Sequence, residues 1–235
     1  MLQGIDSHFL VTAADCIVTM ASDSSLGSVT FITDSCGAAG IVESLCARIA
    51  AGRHSDPAEC TACLRCLHTL LLHHVNNQGR LCVCGGLAVL TQFLVSSNSG
   101  HQAPGSMQWA AAIVAHVASA SRAGFAAAQS CGGVDAVLMA GVLCSAQSQA
   151  NVAATIFDMV CSSPQVAALV RLQCNVDSEV HSTQPMSLLL QSCHSDIRQT
   201  ALRIVKRLGK MEEHMHAQPK VQGGVGLQQP AKRWS

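Results

Sequence analysis

Two stretches, CGGLAVLTQFL (84–94) and CGGVDAVLMAGVL (131–143), begin with the same Cys-Gly-Gly and continue as apolar runs of one helix length. The same pairing opens earlier with Cys36-Gly37, 48 residues before Cys84-Gly85, and Cys131-Gly132 follows 47 residues later. Cys174-Asn175 comes another 43 residues on, with Asn as the commonest substitute for Gly where the backbone is left-handed. A recurring Gly or Asn between two apolar segments predicts a sharp turn between two helices.

The flanks repeat as well. Before the turns stand SVTFITDSC, GRLCVCG and AGFAAAQSC, and after them GIVESL (40–45), AVLTQFL (88–94), AVLMAGVL (136–143) and MSLLLQS (186–192). Each second segment is apolar enough for a buried helix. A polar linker then leads to a longer helical stretch, at 57–75, 107–119, 148–162 and 195–208. In the third of these, Val152, Ile156, Met159 and Val160 fall at i, i+4, i+7 and i+8, one helical stripe.

Each unit therefore reads as short helix, Gly turn, buried helix, linker, long helix. Self-similarity at about 40–47 residues with two or three helices is the signature of armadillo and HEAT arrays. The chain resembles the armadillo family through CGGLAVLTQFL with WAAAIVAHVA (109–118), and through CGGVDAVLMAGVL with ANVAATIFDMV (150–160). The resemblance covers roughly residues 24–209. It implies an all-α, right-handed α-solenoid of about four armadillo-like three-helix repeats, at about 24–75, 76–122, 123–162 and 163–209. Residues 1–23 read as a partial leading repeat with only its third helix, either a cap or the end of an array that continues upstream. The linkers 96–107, with Pro104 and Gly105, and 175–185 are expected to loop out. Residues 210–235 lack an apolar period and are expected to form a flexible C-terminal tail.

Composition narrows the function classes. Charged residues make up 12% of the 235, against a usual 25% or so. The formal net charge is zero and the pI about 7.1, so no basic field draws the chain to nucleic acid or to anionic membrane. Aromatic residues are 3%, a poor supply for a base-stacking surface. No uninterrupted run of about 18 apolar residues predicts a membrane span. The start has no Lys or Arg before its apolar stretch, and Asp6 and Asp15 interrupt it, unlike a secretory signal. The thirteen cysteines are then expected to stay reduced, in the cytoplasm or alternatively the nucleus.

Catalytic motifs are missing: there is no G-x-G-x-x-G, G-x-x-x-x-G-K-[ST], G-x-S-x-G or H-E-x-x-H. Glu43, Glu59, Asp135 and Asp158 fall in different units, so nothing pairs carboxylates for acid/base work. Glu212, Glu213, His214 and His216 read as solvated tail residues rather than a metal site. The expectation is no enzyme, no cofactor and no metal.

The segment ECTACLRCLHTLLLHH (59–74) raises the one chemical alternative, a metal-binding or redox module built on Cys60, Cys63 and Cys66. On a straight helix these positions spread over about 120°, which suits four converging zinc ligands poorly. Cys60, Cys63, Leu64, Leu67 and Leu71 share one face, with Arg65, Thr69 and Asn76 opposite. Aligning Leu64 with Ile113 puts Cys63 and Cys66 on Ala112 and Ala115, small sites that a reduced cysteine fills well.

In armadillo proteins the third helices line a concave groove that binds extended peptides. The resemblance thus implies a protein–protein interaction scaffold, with a protein or extended peptide as partner. Alternatively, the chain is a fragment that only extends a larger armadillo-repeat scaffold. Importin-α-like members carry a Trp followed four residues later by Asn on that helix. Trp109 here is followed by Ile113, so that recognition ladder is not transferred. Nor is there the run of basic residues that β-catenin-like grooves use for acidic peptides. The candidate contact residues are Arg65, His68, Trp109, His116, Asp158 and Arg198, with Arg203 as a further exposed cation. His68, His73, His74 and His116 have no evident partners in the sequence and read first as packing or surface residues. His68 and His116 lie near equivalent positions, which suggests a pH-sensitive contact between pH 5.5 and 7.5.

Overall fold

The computed structural model describes residues 7–23, 26–51, 56–72, 74–96, 104–143, 146–174 and 185–217, and within these the chain is helical without strands. A lone helix, α1 (Ser7–Asp23), precedes three-helix sets. They are α2 (Leu26–Ala38), α3 (Ile41–Ala51) and α4 (Pro57–Leu71); then α5 (Val75–Val83), α6 (Gly86–Ser96) and α7 (Pro104–Ala120). The last two are α8 (Arg122–Ser130), α9 (Gly133–Leu143) and α10 (Ala146–Ser162), then α11 (Pro164–Cys174), α12 (Pro185–Leu190) and α13 (Ser195–Ala217).

Local chemistry sets the helix starts. Asp56 caps α4, accepting from the Ala58 N–H at 2.9 Å, and Pro57 occupies the first turn, where no N–H is needed. Ser121 does the same for α8 through Gly124, and Ser163 for α11 through Val166. The His74 imidazole caps α5, accepting from Asn77 N–H at 3.2 Å. Asn77 and Gln78 then reach back to the C-terminal end of α4. Asn77 Nδ2 donates to Leu70 O and Thr33 O, both at 2.9 Å, and Gln78 Nε2 to Leu71 O at 3.0 Å. The Leu70 carbonyl is thereby satisfied inside the protein, and the Leu71 carbonyl, which also accepts from His74 N–H at 3.1 Å, gains a second donor.

The helices stack in like-with-like rows. Third helices pack in the sequence α1–α4–α7–α10–α13, and central helices in the sequence α3–α6–α9–α12, each touching the next. Leu64, Leu67, Leu90, Phe93, Ile113, Leu138, Ile156 and Met159 are fully buried between the rows. They belong to one apolar cluster that runs from Ala14 to Leu208. Continuous stacking of this kind defines a solenoid, in which each unit buries its apolar face only against its neighbours.

Several sequence expectations need correction. Gly85 (φ 73°) and Gly132 (φ 72°) make the turns, where the chain bends by 74° and 71°, but the first unit turns at Gly40 (φ 75°), not Gly37. Gly37 lies inside α2, where a Cβ would stand 2.0 Å from Asn77 Oδ1. It is a glycine of close approach, and the left-handed residue comes three positions later. The segment 57–75 is broken after Leu71, so Asn76 belongs to α5 and not to the polar face of α4. Pro104 and Gly105 open α7 instead of looping out, because proline suits a first helical turn. Residues 97–103 and 175–184, like Asn175 itself, lie outside the described residues. The chain does not leave helix at 210: α13 runs to Ala217, since Lys, Met, Glu and Ala favour helix without needing a buried face. Residues 218–235 of the expected tail lie outside the described residues.

The repeat register also shifts. α5 begins at Val75 and α8 at Arg122, 47 residues later, and α4 and α7 begin with Pro57 and Pro104 at the same interval. This places Cys63 on Ala110 and Cys66 on Ile113, not on Ala112 and Ala115. Cys63 fills a small site between helices, whereas Cys66 stands where its neighbour has a larger side chain.

Candidate functional site: a cleft across three third helices

Beside each buried stripe, the third helices carry a second, more exposed one, at i, i+4, i+7 and i+11 on α4 and α10 and at i, i+4, i+8 and i+11 on α7. On α4 it is Thr61, Arg65, His68 and Leu72; on α10 it is Asn151, Thr155, Asp158 and Ser162. On α7 it comprises Gln108, Ala112, His116 and Ser119. Polar links hold these stripes side by side. Thr61 Oγ1 and Ser106 Oγ are 2.7 Å apart, joining α4 to α7, and Asn151 Nδ2 donates to Gln108 Oε1, joining α10 to α7.

Between the three helices lies a cleft of about 190 Å³ lined by His68, Ala112, His116, Thr155, Asp158 and Ser162, among others. Its walls alternate small side chains, which leave room, with hydroxyls and imidazoles, which offer hydrogen bonds. Ser162 and Ser119 direct their hydroxyls back at the carbonyls of Asp158 and Ala115, at 2.7 and 2.8 Å. Asp158 is exposed at the cleft edge and is the only carboxylate among its described lining residues.

Trp109 stands behind this wall. Its indole is half-buried and meets the His68 ring at a centroid distance of 5.2 Å. Burial, aided by the neighbouring His116, lowers the His68 pKa to about 4. His68 is therefore neutral throughout pH 5.5–7.5 and does not supply the pH-sensitive contact suggested by the sequence. His74 is not partnerless: its Nε2 lies 2.8 Å from Asp34 Oδ1. His73 lies outside the described residues.

The arginines separate. Arg65 is ion-paired with Asp15 of α1, which holds the leading helix against α4. Arg198, at the start of α13, donates to Ser192 O at 2.6 Å and is not among the cleft residues. Arg203 lies over the Phe157 ring, 4.3 Å from its centroid. Of the six candidate residues, the structure thus brings together His68, His116 and Asp158, with Trp109 behind them. The residues the sequence did not single out are Ala112, Ala115, Ser119, Thr155, Met159 and Ser162. Their chemistry is bland, but Ala112, Ser119, Thr155 and Ser162 fall at i+4 and i+11 of the exposed stripes, and that spacing was a usable signal.

The cysteine alternative has a different setting. Cys63 and Cys66 are fully buried and Cys60 nearly so. Burial, with the Glu59 carboxylate beside Cys60 and Cys63, pushes their thiols up, to about 11 for Cys60 and about 12 for Cys63. Burial also raises Cys66 to about 12. Raised thiol pKa values make the deprotonation that metal binding and nucleophilic attack both require more costly. The space beside Cys60 and Cys63 is about 10 Å³, room for a single water at most, and Glu59 there is already ion-paired with Arg48. Among the described residues no three His, Cys, Asp or Glu side chains converge as a metal site would require.

No protein-family model matches the sequence, and no curated protein does. Solved structures match the fold. One engineered protein superposes with a TM-score of 0.65 at 18% identity, over 89% of this chain and 78% of that one. A structure described as computationally designed armadillo repeat proteins for modular peptide recognition gives 0.64 at 14% identity, over 93% and 86%. A designed armadillo repeat protein solved in complex with the peptide (KR)4 gives 0.61 at 13% identity, over 96% and 90%. The chain has an all-α, armadillo-like repeat fold. Among its described residues no single helix is long and apolar enough to cross a membrane.

Proposed function

We propose that this chain is a non-enzymatic interaction scaffold that binds an extended peptide, or an extended segment of a protein, along its third-helix face. The observation that carries this reading is the cleft spanning α4, α7 and α10. It is open, lined by small and hydrogen-bonding side chains, and continuous with the polar stripes on either side. An extended peptide offers a backbone for the hydroxyls and imidazoles and side chains for the space over Ala112. Two structural neighbours support the reading by description: one was designed for peptide recognition, and the other was solved with a Lys/Arg peptide. Those properties belong to those proteins. What this chain contributes is Asp158, whose exposed carboxylate in a cleft of neutral groups favours a Lys or Arg side chain of the bound segment.

An array of immobilised ten-residue peptides, varied at each position among Lys, Glu, Leu and Ser, tests this. The chain is expected to select Lys-containing peptides at one position, and D158N to weaken that selection about fivefold, the scale of an exposed charge pair. Selection unchanged in D158K, or no selection anywhere on the array, would sink the proposal.

A further inference from the structure

Cys46 and Cys84 stand apart from the buried cysteines of α4. Cys46 lies on α3, the central helix of the first unit, and is 4% exposed. Its Sγ points at the corner of the second unit: a Cβ on Gly86, the first residue of α6, would come within 2.8 Å of it. Only a residue without a side chain lets the sulfur approach that backbone so closely. Cys84 lies two residues earlier, at the C-terminal cap of α5, and is exposed. Its thiol donates weakly to Leu81 O at 3.4 Å, and the Cys46 sulfur lies against Gly86, two residues along the same corner, close enough to sense Cys84. One sulfur is therefore open to solvent and the other waits beneath it.

The surroundings define which partner is available. Burial, then Cys84, raises the Cys46 thiol, so Cys46 is the slower nucleophile and reacts after its neighbour. Cys82, half-buried on α5, and Cys131, half-buried at the next corner, are the other thiols close enough to feel Cys84 or each other. Cys131 is already engaged with Thr91 Oγ1 at 3.3 Å and with Ala128 O.

We propose that Cys84 and Cys46 form a peroxide-sensitive disulfide site that staples α3 of the first unit to the α5–α6 corner of the second. The exposed Cys84 thiolate attacks a hydroperoxide oxygen, the O–O bond breaks, and Cys84 becomes a sulfenic acid as hydroxide leaves. Cys46 then attacks the Cys84 sulfur, the S–S bond forms, the S–O bond breaks, and the Cys46 proton leaves with the departing hydroxide as water. Two thiols lose two electrons in all, and one peroxide becomes two water molecules, or water and alcohol for an organic peroxide. The bridge fixes two neighbouring units of the array against each other and is reversible by thiol exchange.

The full chain, reduced and freed of reductant, is titrated with hydrogen peroxide, then unfolded and capped with N-ethylmaleimide. The expected product has lost about 2 Da and two maleimide adducts, and its peptides map the bridge to Cys46 and Cys84. C82S keeps the bridge, and C84S abolishes it. Because Cys84 is exposed, C84S remains informative even if C46A folds poorly. In C46A, dimedone traps Cys84 as sulfenic acid several-fold more than in the unaltered chain. Equal trapping in both, a bridge from Cys84 to Cys82 or Cys131, or a bridge surviving in C84S would overturn the assignment.

Discussion

The His68 imidazole leans on the Trp109 indole, ring centroids 5.2 Å apart and planes inclined by 55°, so that α4 and α7 meet through an aromatic contact beside the cleft. The contact keeps His68 from water on one side and leaves its other side to the cleft.

That burial predicts a pH dependence. The unfolded chain protonates His68 near its ordinary value of about 6.5, whereas the folded chain does so only near pH 4. Between those values the unfolded state binds the extra proton, so stability falls as pH drops from 6.5 towards 4. The other titratable groups lining the cleft are His116 and Asp158. H68Q is expected to lose less stability than the unaltered chain between pH 7.5 and 4.5 in urea unfolding. An NMR titration placing the His68 midpoint above 6 would contradict the burial argument.

The corrected turn of the first unit predicts an order of effects. G37A drives a methyl group into Asn77 and breaks two buried hydrogen bonds, at a cost of about 3 kcal/mol. G40A forces alanine into a left-handed conformation at about 1–2 kcal/mol. Denaturant midpoints should therefore fall further for G37A than for G40A. The reverse order would restore Gly37 as the turn.

Cys63 and Cys66 should behave as packing residues of different sizes. C66V, at a site where α7 carries Ile113, should cost less than about 1.5 kcal/mol. C63V, where α7 has Ala110, should overpack by about 1–3 kcal/mol. Tm should not move when a strong chelator is added under reducing conditions. A fall in Tm with chelator, reversed by zinc, would revive the metal reading of Cys60, Cys63 and Cys66.

Arg48 and Glu59 form an ion pair in which the carboxylate is buried at 5% exposure. R48M takes one cationic partner from that buried carboxylate and should destabilise by about 3 kcal/mol. Adding E59Q removes the charge itself and should recover at least half of the loss. Additive losses in the double variant would mean that the pair is not coupled.

The solenoid was legible because its rules are periodic: a turn residue, an apolar run and a long amphipathic helix return at nearly fixed intervals. Where the reading slipped, two local meanings of one residue competed. Cys36-Gly37 has the letters of the later turns, yet its glycine serves contact with Asn77, 40 residues away. Pro104-Gly105 has the composition of a loop, yet proline also starts helices. Gly209 resembles a stop, but it sits exposed within α13 and costs that helix too little to end it.

At the cleft, His68, Trp109, His116 and Asp158 drew notice by residue type alone. Their convergence depends on the relative rotation of α4, α7 and α10, which follows from buried contacts such as Ile113 and Ile156 and not from the polar residues themselves. The pairing of Arg65 is hidden in the sequence for a similar reason. Its partner Asp15 comes from the leading helix, 50 residues earlier, and no local pattern announces that pairing.

The central claim is that the third-helix face is where a peptide binds. Backbone amide shifts of the isotope-labelled chain, followed during titration with the Lys-containing peptide selected from the array, test it most directly. The account predicts saturable shifts concentrated in Ala112, His116 and Ser119 of α7 and Thr155, Asp158 and Ser162 of α10, and lost in D158K. Shifts confined to the first helices α2, α5 and α8, with α7 and α10 unmoved, would contradict it.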